Sequence, residues 1–353
     1  MFGMKRREFI ALVGGAAAWP LAARAQQPER MRRVGVLMSL PQNDPGGQAE
    51  VAAFYQGLAA LGWVEGRNIR IEFRWPGGDV ERARAFAKEL VGLNPDVLVG
   101  RSTPTTAALK RETDSIPIVF VNVAEPVGSG FVENLVRPGG NITGFTNFDG
   151  SIGGKWLQLL KEVDPNITRV AIIYNPQTAP YASSFLRSVE SAAPILAVET
   201  IAASVQNDAD IESSLTAFAR TTGGGLIAIP DSFTVEHRDR IIAQAAKNRL
   251  PALYANRAFT LAGGLMSYAV DPRGLFQRST TYVDRILNGA RPSELPVQQP
   301  TKFDLVINLK TAKAVGLEVP PMLVARADEV VELARLAWAA RLVFSYLGCP
   351  HAQ

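Results

Sequence analysis

The sequence predicts an α/β protein built from two doubly wound, Rossmann-like lobes, each a parallel sheet with helices on both faces. Its 353 residues exceed the length of about 250 to 300 residues at which single cores stop growing. Short apolar runs alternate with amphipathic stretches of helical length, which is typical of parallel sheets. The alternation occurs twice, before and after a Pro- and Gly-rich segment at 137–144, which we interpret as a turn and crossover.

The first lobe begins with a short apolar run at 34–38, which precedes a Gly-rich turn and an amphipathic stretch. Apolar runs of this length predict strands, and amphipathic stretches of ten or more residues predict helices. The predicted elements are strand 34–38, helix 49–61, strand 68–74, helix 80–93, strand 97–100, helix 104–113 and strand 118–122.

The second lobe repeats the pattern with strand 169–174, helix 182–192, strand 197–202, helix 209–220, strand 225–229, helix 236–248 and strand 252–254. A helix at 274–288 and a strand at 304–308 remain, too few for a third domain. We therefore predict that the chain returns to complete both lobes through a multi-strand hinge. The expected limits are 31–147 plus about 270–300 for lobe 1, and 148–269 plus about 301–332 for lobe 2.

Residues 1–25 have the three parts of a secretory signal: basic residues at 5–7, an apolar core at 9–18 and a cleavage site ending at Ala25. Arg6 and Arg7 precede Phe9 in a pattern that resembles the twin-arginine signal. The apolar core is far shorter than the ~20 residues that span a bilayer. We expect a cleaved signal, export to the periplasm and no stable membrane insertion afterwards.

The composition excludes several classes of function. The formal charge of +4 falls to +1 on cleavage, because the removed segment itself carries +3, and no basic block is left to bind nucleic acid. One cysteine and two histidines argue against an internal disulfide framework and a Cys/His zinc cluster. We predict no metal and no cofactor.

A search for catalytic motifs finds none. The Gly154-Lys155 pair is not a Walker loop, because position 149 is Asp and Trp156 replaces Ser or Thr. No GxGxxG follows the first strand, and Pro104 breaks the only approach to a GxSxG elbow. His237 lies among charged residues, which favours a solvated side chain over a general base. We predict no catalytic residue.

Polar residues follow several predicted strands, at the carboxyl ends where open parallel sheets bind ligands. A Ser or Thr before a helix start brings free backbone N–H groups that favour a carboxylate. Taken singly, each polar residue is better explained as a structural cap, and a tyrosine near a strand end is often part of the core; the set of residues together favours a ligand site. The candidates from this reasoning are Ser39, Ser102, Thr103, Tyr174, Asn175, Thr178, Tyr181, Asp231, Ser232, Tyr254 and Tyr268.

Five longer segments, at 61–69, 116–128, 137–144, 295–313 and 326–330, carry a family resemblance. They are similar to the ABC transporter substrate-binding proteins, the family that includes tryptophan- and tyrosine-binding proteins, and the similarity covers about 31–332. It implies a type I periplasmic-binding fold whose lobes close on a small solute without catalysis. It also implies delivery to an inner-membrane ABC permease driven by a cytoplasmic ATPase, by a receptor that we expect to be monomeric.

The resemblance implies ligand contacts from the loops at strand ends, which here are Ser39, Thr103, Thr105, Asn122, Asn147, Asn175, Tyr181, Asp231, Tyr254 and Tyr268. Arg101 stands where relatives carry a small residue. It either clamps a ligand carboxylate or extends into solvent.

The resulting hypothesis is a solute receptor for an amino acid or an aromatic or other organic acid. Asp231 would bind a ligand ammonium and the helix start at Ser102 and Thr103 its carboxylate. A sensory receptor of the same fold remains open, as does a two-lobed enzyme, which would need an acid and a base paired across the cleft. Residues 333–353 extend beyond the family pattern and are interpreted either as a short helix docked on lobe 2 or as an extension without function.

Overall fold

The computed structural model describes residues 30–331. The predicted signal peptide at 1–25 and the predicted extension at 333–353 lie outside these residues. Within them the fold class predicted from the sequence is confirmed: two parallel-dominated sheets with helices packed against them.

The first sheet has five parallel strands in the order β2-β1-β3-β4-β5. In its two central strands the first four residues are apolar and buried, as expected of strands covered on both faces. The strands are β1 Arg32–Leu37, β2 Ile69–Arg74, β3 Val97–Arg101, β4 Ile118–Val123 and β5 Ile142–Thr146. The helices between them are α1 Pro45–Ala60, α2 Val80–Gly92 and α3 Thr103–Glu112.

The second sheet has seven strands in the order β12-β11-β10-β9-β8-β6-β7. All neighbours are parallel except β10 and β11, which are antiparallel. The strands are β6 Arg169–Tyr174, β7 Glu199–Ser204, β8 Gly224–Ala228, β9 Ala252–Tyr254, β10 Met266–Ala269, β11 Asp304–Asn308 and β12 Glu329–Val331.

Nine helices complete the described part of the chain. They are α4 Gly153–Val163, α5 Ala182–Ala192, α6 Asp208–Phe218, α7 Ser232–Glu236, α8 Arg238–Lys247, α9 Arg257–Leu261, α10 Pro272–Leu287, α11 Leu309–Val315 and α12 Pro321–Ala325. Short 3₁₀ turns lie at Gly150–Ile152 and Pro292–Glu294.

Helix α10 follows β10 of the second sheet in the chain but packs on α1 beside the first sheet. The rings of Phe54 and Phe276 meet edge to face with centroids 6.2 Å apart, in a core cluster that also includes the strands β1 and β3. The indole Nε1 of Trp63 donates to Asp284 Oδ1 at 2.9 Å. The core of the first lobe therefore depends on residues more than 200 positions apart in the sequence.

The chain passes between the two sheets three times, after β5, after β10 and before β11. The third passage is tied to the first, because Gln298 N donates to Gly144 O and Thr146 N donates to Gln298 O, both at 2.9 Å. The passages together form the multi-strand hinge, which places the carboxyl ends of the two sheets opposite each other.

Some predicted elements differ in the structure. The segment at 137–144, interpreted as a turn, runs into strand β5. Gly144 is needed there because a Cβ at this position would lie 2.0 Å from the carbonyl oxygen of Phe120 on β4. The Gly-rich turn predicted before helix 49–61 is the first turn of α1, which begins at Pro45. The helix predicted at 236–248 corresponds to α8, and a short helix that was not predicted, α7, precedes it up to Glu236.

Candidate functional site

A small cavity lies between the lobes at the carboxyl ends of β3, β4, β8 and β9. Its volume of about 30 Å³ holds about two water molecules, so a larger ligand enters only when the lobes separate. The polar residues that line it are Arg101, Ser102, Thr103, Asn122, Asn147, Tyr181, Asp231, Ser232 and Asn256. The ring of Phe148 and that of Phe259 supply apolar wall.

Ser102 and Thr103 form the start of α3 on the first-lobe side of the cavity. Ser102 has a φ of 81°, a left-handed conformation that is uncommon for a side chain other than glycine and that clusters at functional sites. Its side chain does not cap α3, which contradicts the structural-cap interpretation for this residue. The hydroxyls of Ser102 and Thr103 are buried and have no hydrogen-bond partner.

The hydroxyls further along α3 are, by contrast, occupied. Thr105 Oγ1 donates to the carbonyl of Arg101, and Thr106 Oγ1 donates to the carbonyl of Ser102 at 2.8 Å. Thr105 was predicted as a ligand contact, but its hydroxyl is turned to the backbone and does not line the cavity. Buried hydroxyls are rarely left without a partner. Ser102 and Thr103 are therefore the residues through which the first lobe is best placed to bind a polar ligand group.

Asp231 lies on the second-lobe side of the same cavity, opposite Ser102 and Thr103, and caps α7. Its Oδ1 accepts hydrogen bonds from Thr178 Oγ1 and from Phe233 N, the latter at 3.0 Å, and its Oδ2 accepts from Asn175 N at 2.8 Å. These three bonds use three of the roughly four acceptor positions of a carboxylate. Burial raises the pKa of Asp231, while these hydrogen bonds lower it because they favour the charged form. Burial is the larger effect, and the pKa is about 6.

Tyr181 lies between Asp231 and the first lobe. Its hydroxyl donates to the carbonyl of Pro230 at 2.7 Å. Burial, together with the charge of Asp231, raises the pKa of the phenol, and the nearby Thr103 hydroxyl partly offsets this by lowering it. Tyr181 is therefore neutral over the physiological pH range and presents a hydroxyl and an aromatic edge to the cavity.

Asn122 and Asn147 complete the first-lobe wall at the ends of β4 and β5. Asn122 has a φ of 60°, which asparagine tolerates better than most residues. Asn147 Nδ2 donates to the carbonyl of Asn122 at 3.4 Å, and its Oδ1 accepts from Phe148 N at 2.7 Å. The two loops are thus held together at the hinge side of the cavity.

Arg101 adopts neither of the two predicted positions. Its side chain is 4% exposed and pairs with Glu50, which is 3% exposed. Nε donates to Glu50 Oε2 at 2.7 Å, Nη2 donates to Oε1 at 2.9 Å, and Nη1 donates to Ser39 Oγ at 2.6 Å. Arg101 is therefore neither a free carboxylate clamp nor a solvent-exposed side chain, because Glu50 on α1 already neutralises it.

Five other predicted contacts are placed behind the cavity wall. Ser39 bonds Arg101, while Asn175 and Thr178 bond Asp231. Tyr254 is buried with its ring stacked on Phe259 at 4.5 Å between centroids. Tyr268 stacks on Phe303 at 5.5 Å, and its carbonyl accepts from the Trp156 indole. Neither tyrosine lines the cavity.

The sequence reasoning missed two polar contributors. Glu50 carried no signal, because an acidic residue on a helix is usually solvated. Asn256 could have been found, because it lies two residues after β9 and caps α9. Ser232, noted in the sequence beside Asp231, does line the cavity at the start of α7.

The described residues also show where the other titratable groups lie. No group of three or more His, Cys, Asp or Glu in 30–331 is placed to hold a metal ion. His237 Nδ1 lies 2.6 Å from Asp208 Oδ1, and its ring packs on Phe233, away from the cavity.

Between residues 30 and 331, helices with the length and apolar character of a membrane span are absent.

Known proteins resemble the chain over most of its length. A tyrosine-binding protein of Clostridioides difficile (strain R20291) is 24% identical over 267 residues, which is 75% of this chain and 76% of the relative. A conserved domain protein of Vibrio cholerae O1 biovar El Tor is 31% identical in its crystal structure, with a TM-score of 0.79 over 85% of this chain and 100% of that one.

A further crystal structure, described as an ABC domain in complex with L-Trp from "Streptococcus pneumonia", has the same TM-score of 0.79 at 22% identity, over 85% of this chain and 100% of that one. The family model described as ABC transporter substrate binding protein matches residues 34–331. With two hinged α/β lobes, a polar cavity between them and a family match across almost all of the described residues, the chain belongs to the ABC transporter substrate-binding protein family.

Proposed function

We propose that the protein is the periplasmic receptor of an ABC importer and binds a small carboxylate, an amino acid or an aromatic or other organic acid, between its lobes. The observation that carries this proposal is the pair of buried, unpartnered hydroxyls of Ser102 and Thr103 at the start of α3, opposite Asp231. A solute at this position would supply hydrogen-bond partners to both hydroxyls.

The start of α3 suits a carboxylate for two reasons. The first N–H groups of a helix have no partner within the helix, and the helix dipole favours negative charge at this end. The two free hydroxyls lie at the same place. Arg101 adds no net charge there, because Glu50 neutralises it, so the carboxylate is held by neutral donors and the dipole.

Asp231 suits a ligand ammonium on the opposite side. It has about one acceptor position left beyond its three protein donors. The relatives whose names refer to tyrosine and L-Trp are consistent with an amino acid. In this arrangement the ligand joins the lobes, its carboxylate on lobe 1 and its ammonium on lobe 2, and stabilises the closed form.

The cellular setting of the proposal rests on the sequence and the family. The signal at 1–25 would export the chain and be cleaved after Ala25, leaving a monomeric receptor in the periplasm. Delivery to an inner-membrane permease with its cytoplasmic ATPase is the role that the family name implies.

The proposal is tested by a binding screen on protein freed of carried-over solute by unfolding and refolding. Amino acids, aromatic acids and simple carboxylates are added in thermal-shift experiments, and hits are followed by isothermal titration calorimetry. We expect at least one carboxylate to raise the Tm, since a ligand that binds only the folded protein at 100 times its Kd adds about 2.7 kcal/mol of stability. A well-folded protein that none of these compounds stabilises would contradict the proposal.

Binding of an amino acid should weaken as the pH falls through about 6. The pKa of Asp231 is about 6 because of burial, so at pH 5 only about a tenth of the free protein carries the charge, and affinity should drop about tenfold from its value at pH 7.5. Among the described residues, the titratable group placed against Asp231 is Tyr181, which stays neutral. Calorimetric titrations at several pH values measure this dependence.

The control is Asp231→Asn, which keeps the shape and two of the three hydrogen bonds. It should bind more weakly at pH 7.5 and lose the dependence between pH 5 and 7.5. The free energy of unfolding of the protein without ligand should change with pH in the opposite direction to the affinity. The pKa in the folded state exceeds 3.8, so the contribution of Asp231 is full below pH 3.8 and is lost as the pH rises through about 6. An unchanged pH profile of binding in Asp231→Asn would remove Asp231 from the site.

A further inference from the structure

A second, larger cavity lies between the lobes beside the first. Its volume is about 280 Å³, and we call it the second chamber. It shares part of its wall with the first cavity, namely Arg101, Val235, Asn256 and Pro272. A ligand that occupies the first cavity therefore needs to pass only these side chains to extend into the second chamber.

Both lobes contribute apolar surface to the second chamber. Leu40, Pro45 and Ala49 come from the first lobe, around the start of α1, and Ala258 and Leu261 come from α9 of the second lobe. Because the walls belong to different lobes, the second chamber exists only when the lobes are closed. A group that fills it would stabilise closure through burial of apolar surface.

The charged side chains at the second chamber are neutralised in pairs. Four arginines line it, and each has a carboxylate partner: Arg101 with Glu50, Arg238 with Asp44 at 3.0 Å, Arg257 with Glu329, and Arg273 with Asp271 at 3.2 Å. The pair of Arg238 and Asp44 joins the two lobes directly. A second charged group on the ligand would find no uncompensated partner here and would lose its hydration.

We propose that the second chamber binds the uncharged, apolar side chain of the ligand whose carboxylate lies at the start of α3. The buried pair of Arg101 and Glu50 separates the two sites and so defines where the polar part of the ligand ends. The inference rests on the proposed function and narrows the substrate class to carboxylates with a branched aliphatic or aromatic side chain. Acids with a second charge are excluded.

The test compares ligands that differ only in side-chain size. The series glycine, L-alanine, L-leucine and L-phenylalanine is titrated calorimetrically, together with the amine-free series acetate, isovalerate and phenylacetate. The protein is wild type, Ala49→Leu or Ala49→Trp. Each larger side chain at position 49 takes up part of the second chamber. The matched control is Ala59→Trp, the same substitution on the same helix at an exposed position outside the chamber.

In the wild type and in Ala59→Trp we expect the leucine- and phenylalanine-sized ligands to bind at least 10-fold more tightly than the smallest member of their series, as burial of such a side chain allows. Ala49→Leu should reduce this preference and Ala49→Trp should abolish it, while affinity for the smallest ligand changes less than threefold. Thermal unfolding without ligand checks that each variant folds. Ala258→Leu, which enters the second chamber from the other lobe, is the second variant and should act like Ala49→Leu.

The outcomes separate the two proposals. If neither series binds the wild type but another carboxylate of the binding screen does, this inference fails while the proposed function stands; if no carboxylate of the screen binds, both fail. If ligands bind but Ala49→Trp and Ala258→Leu leave the size preference intact, the function stands and the second chamber is not a subsite. The same conclusion follows if these variants weaken small and large ligands equally, or if the wild type has no size preference.

Discussion

Replacement of Arg101 by methionine is expected to lower the free energy of unfolding by about 3–5 kcal/mol, the usual cost of breaking a buried ion pair from one side. The substitution leaves the Glu50 carboxylate 3% exposed with no cation beside it. It also removes the donor to Ser39 Oγ. Urea unfolding followed by circular dichroism at constant pH measures the change.

Two further variants establish that the cost comes from the uncompensated charge. The double variant Glu50→Leu/Arg101→Met replaces the whole pair by apolar side chains and should recover most of the loss, because buried pairs contribute little net stability. Arg84→Met removes an arginine from the exposed pair with Glu81 and should change stability by less than about 0.5 kcal/mol. A loss under about 1 kcal/mol in Arg101→Met would mean that water reaches Glu50 in the closed protein.

Thr103→Val is expected to weaken carboxylate binding by about 10- to 100-fold while leaving the empty protein as stable as before or more stable. Valine has nearly the shape of threonine without its hydroxyl. That hydroxyl makes no hydrogen bond of good geometry to another described residue, so its removal should cost the protein little stability. With ligand bound, the same substitution removes a hydrogen bond to a charged group, which contributes about 1.5–3 kcal/mol.

Thr106→Val, one turn along the same helix, is the matched control with the opposite signature. Its hydroxyl donates to the carbonyl of Ser102 at 2.8 Å, so stability should fall by about 1 kcal/mol while affinity stays unchanged. Calorimetry and urea unfolding on both variants provide the four required values. Equal affinity of Thr103→Val and the wild type would place the carboxylate elsewhere in the cleft.

The sequence was sufficient to predict the fold because local signals agreed with the global arrangement. Apolar runs such as 97–100 and 170–173 are fully buried in their strands, where parallel pairing requires continuous hydrophobicity. The exceptions are local. In β5 the close approach of Gly144 to Phe120 gives glycine a role inside a strand, and sequence alone interprets such a glycine as part of a turn.

The candidate site was less predictable because position at a strand end does not determine which way a side chain points. Ser102, Thr103 and Asp231 line the cavity, whereas Tyr254 and Tyr268, equally close to strand ends, turn into aromatic stacks. The burial of Arg101 depends on Glu50, which is 51 positions earlier in the sequence. Only the packing of α1 beside β3 brings the two together.

The packing of α10 on α1 has a consequence for how the protein is made. The first sheet ends at β5, yet its lobe lacks part of its core until residues near Phe276 and Asp284 have been synthesised. During translation the strands of the first sheet lack the packing of α10 until the residues from β6 to β10 have been synthesised. Contacts that close loops of more than 200 residues form slowly. The nascent chain is therefore most exposed to misassociation in the interval before α10 appears.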